Sequence, residues 1–210
     1  MGIRDHQTSR PPGGGPAYPA AAPAGTGAAL RRPTADPGEA PHEASRDAAV
    51  PGRWRYTRHL DRLAAVAAVA GGLRAGGPRE AEAEAEAEAV AAVLRDPDPV
   101  MAESAVVTHL DRRAPRLLPG TEFPEWARAL YPVLDGHAFP ARRLREWTLL
   151  KAIEAGTGWN PVELAAASDW CQHTAARSLA SREALTLLAA SARTRRVRNT
   201  AAQRLRRSAA

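Results

Sequence analysis

Cys171-Gln172-His173 is the one place in the chain where a soft nucleophile lies close to an imidazole. On a helix, residues two apart project about 200° from each other, so this spacing offers neither a thiolate–imidazole pair nor two ligands for one metal. A cysteine beside Trp170 reads instead as packed interior. His109, His137 and His173 each stand alone in the sequence, without the paired spacing of a zinc site. Gly13 to Gly15 lie in a Pro- and Gly-rich stretch rather than between a strand and a helix, so they do not form a phosphate loop. Asp169-Trp170 and Glu146-Trp147 put carboxylates beside aromatic rings, and such tryptophans more often line cores or grooves than catalytic sites. The expectation is a chain with no catalytic constellation, no metal, no cofactor and no small-molecule ligand.

Charge is the stronger signal. Arg193, Arg195, Arg196, Arg198, Arg204, Arg206 and Arg207 fall within fifteen residues, around an expected apolar seam of Thr194, Val197, Ala201 and Leu205. So narrow a seam leaves most of the arginines facing water. They read either as a solvated terminal helix, with cations favoured at its C-terminus, or as a contact surface for nucleic acid or an acidic protein. The basic residues are twenty-eight Arg and one Lys, Lys151, among abundant Ala, Gly and Pro. This usage points to a high-GC bacterial genome and weakens any chemical argument from arginine over lysine. Residues 1–76 hold 10 basic and 6 acidic side chains, residues 77–136 hold 6 and 12, and residues 137–210 hold 13 and 5. The acidic centre comes from "REAEAEAEAEAVAAVLRD", which is read as a solvated, low-complexity helix start rather than a metal or partner site.

The elements that must position these residues are helices. Phe, Trp and Tyr are scarce and Ala abundant, which suits helix-on-helix packing better than a sandwich of aromatic and β-branched strands. Residues 1–52 carry "PPGGGPAYPAAAPAGTG" and "RRPTADPGEAPHEAS", too punctuated for an element, and are expected to be a disordered tail. Residues 53–78 supply a leading helix, with Leu60, Leu63, Val66, Ala67 and Ala70 at three- and four-residue steps, and a Gly-rich linker after Gly71-Gly72. Residues 79–210 form the main helical domain. A lone cysteine, no apolar stretch behind the N-terminal charges, and a longest apolar run (residues 63–73) about half of the roughly 20 residues a bilayer needs lead to the expectation of a cytoplasmic protein with no membrane partner.

Within that domain the spacing predicts a helix over about 79–95, with Glu80, Glu84 and Glu88 on one side, Glu82 and Glu86 elsewhere, and Val90, Val93 and Leu94 as its core face. Asp96-Pro97-Asp98-Pro99 is a turn with an N-cap and Pro at N1, opening a helix to about residue 114. Phe123, Trp126, Ala127, Leu130 and Leu134 form the next stripe. Pro140 then opens a helix whose wide face of Leu144, Trp147, Leu149, Leu150 and Ile153 marks it as central. Asn160-Pro161-Val162-Glu163 resembles a capping box. Helices are expected over about 161–179, 181–191 and 193–207.

First helices near residues 80, 122 and 161 recur about every forty residues, each followed by a partner after a short turn, and forty residues per hairpin is a solenoid period. Here the chain resembles the HEAT-repeat family. The likeness covers residues 79–207 and rests on "DPDPVMAESAVVTHL" and on "RTRRVRNTAAQRL", through Val197, Arg198, Ala201 and Leu205. The first unit departs from the pattern, with its Leu at 110 rather than 109, and the last hairpin follows after only about twenty residues. The resemblance implies an all-α fold of stacked antiparallel helical hairpins, either a HEAT-like solenoid or an irregular helical bundle. It further implies a non-enzymatic scaffold whose partner is another protein, with nucleic-acid binding through the C-terminal arginines as the alternative. Some HEAT-like proteins are DNA glycosylases using an acidic residue and a Trp in a concave cleft; the matching motif is not visible around Asp169 or Glu146, which leaves that reading last.

Overall fold

A computed structural model describes residues 52–72 and 79–208. The expected disordered tail and the Gly-rich linker fall on residues 1–51 and 73–78, outside the described residues. Within them the fold is all-α, as expected. The helices are α1 (Gly52–Gly72), α2 (Arg79–Leu94), α3 (Pro99–Leu117), α4 (Phe123–Val133), α5 (Ala138–Ala155), α6 (Pro161–Ala166), α7 (Asp169–Ser178), α8 (Arg182–Ser191) and α9 (Arg195–Arg207).

Their starts follow from local chemistry. The side chains of Asp98, Asn160, Ser168, Ser181 and Thr194 each accept from a backbone amide two or three residues on, at 2.9 to 3.3 Å, satisfying donors a helix cannot satisfy itself. Pro99 and Pro161 stand in the first helical turn, where a missing amide costs nothing. Gly156 ends α5 in the left-handed region, at φ 64°, which favours glycine.

Three boundaries differ from expectation, each for a visible reason. The helix expected over 161–179 is two, because Ser168 is itself an N-cap and Ala167 is extended (φ −61°, ψ 163°). The last helix starts at Arg195 rather than 193, since Thr194 is its cap and not part of the apolar seam. The helix entered by Asp98 runs on to Leu117, with Pro115 on the exposed side of its last turn. The core face of α2 is also longer than Val90, Val93 and Leu94: Ala83, Ala87, Ala89 and Glu86 are buried, while Glu80, Glu84 and Glu88 face solvent.

Packing follows chain order. Each substantial helix contact joins a helix to its immediate or next-but-one neighbour. α1, α3, α5, α7 and α9 touch in succession; α2 packs on α4 and α6 on α8, and neighbours such as α2 and α3 or α8 and α9 join the two rows. One continuous apolar cluster runs through them, from Leu63 and Val93 through Leu110, Leu130 and Leu150 to Leu188 and Ala201. Alanines at many of its contacts, such as Ala105, Ala127 and Ala175, let the backbones approach closely.

Candidate functional site

The seven C-terminal arginines separate into two groups. Arg198 and Arg204 are half-buried and turned back on the fold: Arg198 Nη1 donates to the Ala192 carbonyl at 2.6 Å, and Arg204 Nη1 to the Ala176 carbonyl at 3.1 Å, capping the C-termini of α8 and α7. Arg193 lies before the helix, its amide donating to Gln172 Oε1 at 2.9 Å and its guanidinium 3.5 Å from Asp169. Arg195, Arg196, Arg206 and Arg207 are exposed and form no ion pair or side-chain hydrogen bond with the described residues. Of the seven, these four are the ones whose guanidinium groups have no partner among the described residues.

They belong to a larger division of charge. The row α1, α3, α5, α7 and α9 carries eighteen Arg and Lys against six Asp and Glu, whereas α2, α4, α6 and α8 carry three against eight. The two rows therefore differ in the sign of their net charge, a division that cuts across the sequence blocks because successive helices alternate between rows.

Two acids that sequence reading left in solvent or as candidate catalysts, Glu86 and Glu146, are buried in helix contacts. Glu86 is 1 % exposed: Oε1 accepts from His109 Nε2 and from Trp126 Nε1, both at 2.7 Å, and Oε2 from Arg113 Nε at 3.2 Å, tying α2 to α3 and α4. A carboxylate has no proton to give, so Nε2 of His109 carries one. Burial alone would raise the pKa of Glu86, but the hydrogen bond and charge of His109, the charge of Arg113 and the Trp126 indole outweigh it and hold the carboxyl below its ordinary value. This corrects the reading of the Glu run as wholly solvated. Counting back from Val90 in steps of three and four reaches Ala87, Glu86 and Ala83, so the signal was present.

Asp96, just beyond the end of α2, repeats the arrangement. It pairs with Arg55 and with His59, both at 2.9 Å, and accepts from the Asp98 amide at 2.8 Å, anchoring α1 to the α2–α3 turn. Desolvation again opposes ionisation, and the Asp98 amide, His59 and Arg55 prevail, leaving its pKa lowered. Asp111 on α3 receives Arg143 and the Trp147 indole from α5, and His137 meets Glu103 at 3.2 Å. The single lysine, Lys151, donates to the carbonyls of Leu118 and Gly120 and closes the end of α3.

The carboxylate–tryptophan pairs are drawn into helix contacts, with Glu146 also on the wall of an open groove between α4, α5 and α6. Trp147 is buried and meets Trp170 edge-on at 5.1 Å; the Arg143 guanidinium lies 3.5 Å over the Trp170 ring. Glu146 is buried and accepts from the Ser168 amide at 3.0 Å, while Asp169 is exposed against Arg193. Cys171 is fully buried, its thiol pushed up to about 12 by burial and by nearby Glu146, which leaves it protonated; His173 is half-buried. Among the described residues no three His, Cys, Asp or Glu side chains converge to hold a metal ion, and no helix is long and apolar enough to cross a membrane.

One open groove of about 670 Å³ lies between α4, α5 and α6, where Tyr131, Leu149 and Trp159 are rimmed by Arg142, Arg145 and Glu163. Sequence reading missed it, because the turn carrying Trp159 shows no periodicity. Comparisons with protein-family models, characterised proteins and solved structures give no match for this chain.

Proposed function

We propose that the chain is a non-enzymatic helical-repeat scaffold, HEAT-like in its stacking, that binds another protein. The observation that carries this reading is the order of the substantial helix contacts, which join immediate and next-but-one neighbours in two rows, as stacked hairpins do. A stack of this kind offers long surfaces rather than a closed pocket. The groove between α4, α5 and α6 supplies the mixture of aromatic and arginine side chains that protein interfaces favour, and an extended segment of a partner fits its open form. Beside it, Glu146 is tied to the Ser168 amide and Trp147 to Asp111, which favours binding over chemistry.

Co-purification from the native host, with and without nuclease, tests the reading. The scaffold should retain protein partners after nuclease and lose them in Trp159→Ala, with helicity unchanged. Loss of every partner on nuclease treatment, with Trp159→Ala indistinguishable from wild type, would overturn it.

A second reading, nucleic-acid binding through the C-terminal arginines, is favoured by the four guanidinium groups of α9 that have no protein partner among the described residues.

A further inference from the structure

The exposed face of α9 is more than a concentration of charge. At about 100° per residue, Arg195, Arg196, Asn199, Gln203, Arg206 and Arg207 occupy a single arc of roughly 120°, opposite buried Val197 and Ala201. All six are exposed, and α9 contains no acidic residue. The arginines stand in two pairs, one per end, about 16 Å apart along the axis at 1.5 Å per residue. Between the pairs lie two neutral amides.

Two features set this face apart from a merely solubilising one. Arg195 and Arg196 stand in the first turn, where the helix dipole disfavours cations; a local rule broken without a visible compensating contact marks a place where something other than stability is served. The amides are also the side chains whose donor–acceptor pair matches the N6–N7 edge of adenine, and an α-helix about 10–12 Å across enters the major groove of B-DNA, about 12 Å wide. With the axis along the groove, Arg195 and Arg206 at one edge of the arc face the phosphates of one strand and Arg196 and Arg207 at the other edge those of its complement, while Asn199 and Gln203 in the middle face base edges.

The helix is held as such an element must be. Three residues, 192–194, connect α8 to α9, Thr194 caps the entry, and Val197, Ala201 and Leu205 dock α9 on the core. Arg198 and Arg204 fix it to the carbonyls of α8 and α7 and are thereby withheld from any ligand. The net positive row to which α9 belongs provides a steering field for a polyanion.

We infer that α9 is a major-groove helix, with Arg195, Arg196, Arg206 and Arg207 on the phosphates of duplex DNA and Asn199 and Gln203 on the bases between them. The inference rests on the reading that these arginines meet nucleic acid, and adds the duplex and the base contacts. The full chain is titrated into a fluorescein-labelled pool of random 20-bp duplexes at several salt concentrations, and its bound fraction is selected and sequenced. Wild type should enrich a common short sequence. Arg195→Glu/Arg196→Glu and Arg206→Glu/Arg207→Glu should each weaken binding to every duplex and lower the slope of log K against log salt by about two. Asn199→Ala/Gln203→Ala should keep that slope and lose the enrichment, a preference of about tenfold or more per base pair read. Salt-dependent binding without enrichment, or enrichment that survives Asn199→Ala/Gln203→Ala, would overturn base reading and leave the arginine reading intact. No retention of wild type on duplex DNA, single-stranded RNA or heparin at about 100 mM salt would overturn both, as would retention only on an acidic polypeptide column.

Discussion

Glu86 shows how a residue inside a low-complexity run acquires a specific role. Three donors from two helices converge on its two oxygens, and neither alanine nor glutamine can receive them all. Glu86→Ala should destabilise the fold by roughly 3–5 kcal/mol, the cost of leaving a buried charge such as Arg113 without its partner. Glu86→Gln keeps the volume but turns an amide donor towards donors. The lowered carboxyl pKa sets a direction in pH: the folded state binds fewer protons than the unfolded state, so the contribution is complete above the ordinary value of 4.5 and is lost as pH falls through the lowered folded value. Asp96 behaves alike below 3.8. Urea unfolding of wild type and Glu86→Gln should therefore give stabilities far apart at pH 7 that converge as the solution is acidified below about 4.5. Parallel curves would show that Glu86 is not the ionised acceptor described here.

At the scale of the elements, Gln172 holds the most consequential position. It is fully buried on α7; its amide nitrogen donates to the Leu164 and Ala165 carbonyls that end α6, and its oxygen accepts from the Arg193 amide in the α8–α9 turn. One side chain thus satisfies the break between α6 and α7 and fixes where α9 begins. Gln172→Ala should cost about 2–4 kcal/mol, because the Ala165 carbonyl and the Arg193 amide lose their partner while the Leu164 carbonyl keeps only the Ala167 amide, whereas Ser168→Ala, which removes one cap, should cost about 1 kcal/mol. Thermal melts and amide exchange in residues 192–197 would check this, and equal effects of the two variants would contradict it. Helix identity was legible in the sequence because caps and apolar periods are local: Asp98 with Pro99 and Asn160 with Pro161 announce their helices. The break at Ser168 was less so, since the apolar residues Leu164, Ala167, Cys171 and Ala175 keep helical spacing across it, and the bonds of Gln172 and of Glu146 to the Ser168 amide, which join the Ser168 cap in favouring two helices, come from residues distant in sequence. The arginine cluster was equally plain, but the division between Arg198 or Arg204, used as caps, and Arg195, Arg196, Arg206 and Arg207, left to solvent, depends on carbonyls from other helices.

For the whole molecule the order of contacts makes a prediction that separates a stack from a single-core bundle. α9 packs substantially on α7 and α8 alone, and α8 on α6, α7 and α9, while α3 and α5 have neighbours before and behind them in the chain. If stability is the sum of each unit and its nearest-neighbour interfaces, the last units open without disturbing the central ones. Amide exchange under native conditions should then show graded opening, with α8 and α9 exchanging at lower free energy than α3 and α5, although Leu188, Val197 and Ala201 are as deeply buried as Leu110 and Leu150. Burial alone would predict equal protection; chain-order connectivity predicts a gradient. Arg204→Ala, which frees the Ala176 carbonyl from its cap, should steepen that gradient at the α9 end and leave α3 unchanged. Exchange through a single global opening with one free energy for all helices would mean that the two rows share one cooperative core, and the scaffold reading would lose the observation on which it stands.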